Sequence, residues 1–149
     1  FASIGDYEAS RESMFASRVP RYMTEDLIAT DATPADDNFD TGHPLYRAIS
    51  EMAAIRTANA PLRRGEQHVL YADPEGGLLA LSRTYEGATV LVVFNADLQP
   101  RSMNLPVPTS LSAFQALAGI CAPKVSAPGS YPVTIPALDF IVCKTGTTQ

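Results

Sequence analysis

Residues 78–95 read LLALSRTYEGATVLVVFN. Leu78 to Tyr85 is one strand-like run, and Ala88 to Asn95 is a second, rich in β-branched side chains. Glu86 and Gly87 stand between them, the length and composition of a tight hairpin turn. Outward on the N-terminal side, Gln67 to Ala72 is another run, joined to Leu78 through Asp73-Pro74-Glu75-Gly76-Gly77. Pro presets φ in such a turn and Gly supplies a positive φ. These runs predict an antiparallel meander. On the C-terminal side lie Ser102 to Val107, Ala113 to Leu117, Tyr131 to Ile135 and Phe140 to Lys144. Short strands at this spacing, with turn signals between them, predict a mainly β chain folded as an antiparallel β-sandwich or barrel. Pro106, Pro108, Pro132 and Pro136 are expected at strand ends or edges, because proline donates no ladder hydrogen bond.

Upstream of the strands lies one amphipathic helix, expected over residues 44–60. Pro44 suits a first helical position, where its missing N–H is not needed. Leu45, Ala48, Ile49, Met52, Ile55 and Ala58 recur at spacings of three and four, giving an apolar stripe. Arg47, Glu51 and Asn59 fall beside or away from it. Pro61 disfavours helical geometry before it, so the helix must end by Ala60. Residues 1–43 are polar, acidic and mostly irregular, with a short helix expected over Asp6 to Phe15 and a turn at Thr24-Glu25-Asp26. An irregular segment this long tends to be functional or to lean on something else.

The formal charge of −5 and a pI near 4.9 have the wrong sign for neutralising phosphates, which argues against nucleic acid and anionic membrane as partners. No apolar run approaches the roughly 20 residues that span a bilayer. A neutral ligand such as a sugar remains compatible. The chain starts at Phe1 without signal-peptide features, so a piece of something longer is expected. Cys121 and Cys143 lack zinc-site spacing. Either they are buried small hydrophobes, or they form one disulfide, which would suit an extracellular or periplasmic protein.

The stretch His43 to Gly65, HPLYRAISEMAAIRTANAPLRRG, resembles the last barrel helix of the α-amylase family of glycoside hydrolases, through Leu45, Tyr46, Ile49, Ile55, Arg56 and the phrase Pro61-Leu62-Arg63-Arg64-Gly65. Leu78 to Tyr85, Val90 to Asn95 and Tyr131 to Val142 are similar to strands of that family's C-terminal domain. Asp31 to Tyr46, DATPADDNFDTGHPLY, is similar to the loop after the eighth barrel strand in a bacterial branch. The resemblance implies that residues 1–65 are the terminal loop and last helix of a (β/α)8 barrel, and residues 66–149 a C-terminal sandwich. It implies a parent enzyme that cleaves α-glucosidic bonds with retention, using paired carboxylates. The strands that carry those carboxylates are not in this chain, so no catalytic residue is assigned.

What remains is the acidic cluster Asp36, Asp37 and Asp40. It fails as a calcium hand, because Gly42 is one place late and Arg47 occupies the position of the bidentate Glu. No metal or other cofactor is assigned to the chain; calcium is left to the parent enzyme. By resemblance the loop lies on the barrel face where active sites are built. The candidate substrate-contacting rim is therefore Tyr22, Asp36, Asp37 and Phe39. The alternatives are a solvated loop of Asx turns for the carboxylates and packing against the barrel for the aromatics. His43 and His68 have no triad partners. The expected function is the non-catalytic C-terminal portion of an α-glucan-acting hydrolase or transglycosylase, partnered by its own catalytic barrel. The alternative is a stand-alone carbohydrate-binding or structural sandwich. Separated from a barrel, the apolar helix stripe should self-associate or be covered by the N-terminal loop.

Overall fold

The computed structural model of the protein describes residues 14–20 and 22–145. The chain divides into two compact units, residues 1–54 and 55–149. In the first, turns and bends make up the described part up to His43. The helix expected over Asp6 to Phe15 lies outside the described residues except for Met14 and Phe15, which form a bend. Backbone bonds from Tyr22 N–H to the Val19 carbonyl and from Glu25 N–H to the Tyr22 carbonyl make consecutive turns, as expected around Thr24.

Helix α1 spans Pro44–Ala58. His43 starts it: the Leu45 N–H donates to His43 Nδ1 at 3.2 Å. Because Nδ1 accepts, the ring proton sits on Nε2 and points at the Ile28 carbonyl, 2.9 Å away. The helix stops at Ala58, since Pro61 has no N–H to offer the Thr57 carbonyl. Asn59 turns extended, at φ −119° and ψ 106°, and is only 6% exposed. Its side-chain amide donates to the Ile55 carbonyl at 2.8 Å, closing the last turn. Asn59 was expected off the apolar stripe; it is buried instead, because it is the junction between two helices.

The second helix, α2, spans Ala60–Arg64 with Pro61 in its first turn. It corrects the expectation of one helix over residues 44–60. Pro61 ends one helix and is pre-shaped to open the next.

Among the described residues seven strands follow: β1 Glu66–Asp73, β2 Leu78–Tyr85, β3 Ala88–Asn95, β4 Arg101–Pro106, β5 Phe114–Ala118, β6 Ser130–Ile135 and β7 Asp139–Thr145. They form a five-stranded antiparallel sheet ordered β1-β2-β3-β7-β5 and a two-stranded sheet, β4-β6. The β2–β3 hairpin closes with Tyr85 opposite Ala88. Glu86 and Gly87 both take positive φ, 48° and 79°, as a two-residue hairpin turn requires. Pro132 lies mid-strand opposite Asn104, tolerated because both strands of a two-stranded sheet are edges.

The core lies between the sheets. Leu91, Val93 and Ile141 from the large sheet meet Leu105, Tyr131 and Ile135 from the small one. Cys121 and Cys143 are bonded, so the disulfide alternative holds. The bridge ties the segment after β5 to the centre of β7.

Arg83 fastens α2 to the opposite side of the large sheet. Its Nε donates to the Pro61 carbonyl at 3.1 Å and Nη2 to the Gly65 carbonyl at 2.8 Å. A Cβ on Gly65 would stand 2.4 Å from that Pro61 carbonyl oxygen and 3.1 Å from Thr84 backbone atoms, so only glycine lets the chain pass. Arg83→Met keeps the aliphatic stem and removes both charged donors. Loss of about 2 kcal/mol is expected, read from urea denaturation, with faster amide exchange in α2. Unchanged exchange there would show that packing alone holds α2.

Candidate functional site

Among residues 14–54, local hydrogen bonds decide where the acidic side chains point. Asp36 Oδ2 accepts the Thr33 backbone N–H at 2.9 Å and the Thr33 hydroxyl at 3.1 Å. The Thr33 N–H, then its hydroxyl, hold the Asp36 carboxyl below the usual carboxylate range. Asp37 Oδ1 accepts the Phe39 N–H at 3.1 Å, and Asp40 Oδ1 accepts the Gly42 N–H at 2.7 Å. Each carboxylate thus completes its own turn, as Asx residues do. Among the described residues no three His, Cys, Asp or Glu side chains are grouped to hold a metal ion.

The aromatic candidates are placed differently. Phe39 is 57% exposed, and Tyr22 is half-buried in its turn. The ring that Phe39 meets is Phe15, edge-on, with centroids 4.8 Å apart. Phe15 had no sequence signal, being far from Phe39 along the chain. Tertiary hydrogen bonds bring them together: Asn38 N–H donates to the Met14 carbonyl at 3.0 Å, and Ser17 N–H to the Pro34 carbonyl at 2.6 Å. The Asn38 side-chain amide adds bonds to the Thr33 and Asp36 carbonyls, both 3.1 Å. The result is a braced loop presenting a phenyl face beside two exposed carboxylates, Asp36 and Asp37. Such a surface can stack on an apolar ring face and accept hydroxyl protons.

The second notable surface is α1. None of its residues is buried. Leu45 is 51%, Ile49 64% and Met52 45% exposed. Among the described residues the N-terminal loop does not close over the stripe, contrary to one expectation; its hydrogen bonds there join parts of the loop to one another. Among the described residues no helix is long and apolar enough to cross a membrane.

No protein-family model matches the chain. Over 147 residues it is 36% identical to an alpha-amylase of Streptomyces lividans, which covers 97% of this chain but 16% of that protein. Among solved structures, an Anoxybacillus alpha-amylase aligns with TM-score 0.63 at 20% identity, over 80% of this chain and 26% of its own. A Nostoc punctiforme debranching enzyme aligns with TM-score 0.60 at 23% identity, over 68% and 21%. The chain thus spans a small part of each relative's length, and the structural likenesses speak to the fold.

Proposed function

Since this chain belongs to the alpha-amylase family of glycoside hydrolases, we propose that it is the non-catalytic C-terminal portion of an α-glucan-acting enzyme, and that its role is to stabilise the catalytic barrel. The observation that carries this reading is α1, a helix with an apolar stripe and no buried residue. A helix of this composition gains about 25 cal/mol per Å² on covering that stripe, and a barrel sheet is the natural cover. The same stripe supports self-association of the chain when no barrel is present.

The rim assignment follows from the same reading. Phe39, braced by Phe15, offers the open ring; Asp36 and Asp37 offer acceptors; Tyr22 stands in its own turn earlier in the chain. Substrate would meet them only through the parent enzyme. The Cys121–Cys143 disulfide supports an oxidising compartment, extracellular or periplasmic.

The test supplies an alpha-amylase-type catalytic barrel with and without this chain. The chain alone should show no α-glucan hydrolysis. The barrel should gain activity and a melting temperature several degrees higher when the chain is present. A barrel equally active and stable without it would overturn the proposal. Retention of the chain alone on insoluble starch would favour a stand-alone binding module instead.

A further inference from the structure

The two sulphurs of the Cys121–Cys143 bridge stand in different surroundings. Cys143 lies within β7, opposite Leu91 of β3 on one side and Ala116 of β5 on the other. It is 0% exposed and belongs to the core between the sheets. Cys121 lies outside any strand and is only partly buried. The chain reaches it by doubling back. Strand β5 ends with Ala118 opposite Val142, and Gly119 bends at φ 66°. A Cβ there would stand 2.8 Å from Cγ2 of Ile141, so the chain leaves the sheet close against β7. Ile120 then emerges, 85% exposed, and Lys124 comes back beside Ala113. This return is anchored without help from the disulfide. The Phe114 N–H donates to the Pro123 carbonyl at 3.0 Å, and the Val125 N–H to the Ser112 carbonyl at 3.2 Å. The Tyr131 hydroxyl donates to the Ala122 carbonyl at 2.8 Å.

We propose that Cys121 is a site of reversible thiol modification: it takes up a small monothiol of the glutathione class as a mixed disulfide, and Cys143 is the resolving cysteine that expels it. A thiolate attacks a disulfide sulphur in line with the S–S bond, from the side away from the leaving sulphur. For Cys143 that approach runs through the close-packed core, where a thiol finds no path. For Cys121 it comes from the side of the exposed return. Lys124, exposed on the same return, places a positive charge there for an anionic thiolate. Attack forms a bond from the incoming sulphur to Cys121 Sγ and breaks the bond from Cys121 Sγ to Cys143 Sγ. The electron pair of the broken bond goes to Cys143. The incoming thiol gives up one proton to solvent and Cys143 takes one, so no outside oxidant or reductant is needed. In the reverse step Cys143 loses that proton, its thiolate attacks Cys121 Sγ, and the monothiol leaves. Burial disfavours charge on Cys143, which keeps both steps slow. The anchors at Ala122, Pro123 and Val125 keep the two sulphurs within reach, which makes the exchange reversible.

The test incubates the full oxidised chain with excess reduced glutathione under native conditions, quenches in acid and maps both sulphurs by peptide mass. Glutathione should sit on Cys121 in preference to Cys143 by about tenfold or more, with the circular dichroism of the sandwich retained. Gel filtration to remove free glutathione should restore the bridge. Single variants give a second reading through maleimide labelling. The thiol of Cys143→Ala should react about a hundredfold faster than that of Cys121→Ala in the native chain, and the two should react equally in urea. Where a variant does not fold, the map of the unaltered chain still decides. Glutathione shared evenly between the sulphurs, no adduct on the folded chain, or an adduct that persists after gel filtration would each overturn the proposal. So would a native Cys143 thiol that reacts as fast as the Cys121 thiol.

Discussion

Tyr131→Ala should lower the unfolding free energy by about 4 kcal/mol, measured as a shifted urea midpoint at constant slope. Tyr131 is fully buried and among the largest side chains that are. Its ring lies against Phe114, centroids 4.1 Å apart, where the small sheet meets the large one. Truncation would leave a cavity that two sheets cannot collapse to fill. Its hydroxyl donates to the Ala122 carbonyl at 2.8 Å. Tyr131→Phe should therefore lose only about 1–2 kcal/mol, the share of that one bond. The two variants also separate by pH. Burial pushes the Tyr131 hydroxyl up to about 12, above its ordinary value of 10.0. The fold favours the neutral phenol, so this stability is fully present below about pH 10 and is lost as pH rises through about 12. Tyr131→Phe should remove that part of the alkaline loss. A variant with the same alkaline profile as the parent chain would refute the assignment.

Opening the disulfide should have the next largest effect. Cys121 and Cys143 are separated by 22 positions. Closing a loop of that length restricts the unfolded chain enough to contribute about 3 kcal/mol. Reductant, or the paired change Cys121→Ala and Cys143→Ala, should lower the melting temperature by roughly 10 °C. The paired change is the cleaner probe, because Cys143 is fully buried and a single change leaves a lone thiol partner behind. Coincident melting of the oxidised and reduced chains would show that the bridge adds nothing. The effect belongs to the β5–β7 side of the sandwich, so amide exchange should rise there before it rises in β1.

Much of this arrangement is legible in the amino-acid sequence. Leu78–Tyr85 and Ala88–Asn95 are strands at the bounds read from composition, and Glu86-Gly87 is their turn. The reading worked because hairpin turn chemistry and strand preference act over a few residues. The carboxylates of Asp37 and Asp40 were legible as Asx turns for the same reason. Helix α2 was missed because five residues around a proline carry no periodicity, and Arg83, far along the chain, holds its carbonyls. Phe15 was missed because nothing near it in sequence announces Phe39.

What the sequence determined by itself was the succession of elements, the position of the first helix and its apolar side, and the kinship with amylase-type enzymes. What only the tertiary structure decided was the pairing order β1-β2-β3-β7-β5, the union of Cys121 with Cys143, and which apolar faces are covered. Backbone preferences are settled between near neighbours. Burial is settled by which distant segments meet, and a strand's alternation marks two faces without saying which of them will find a cover.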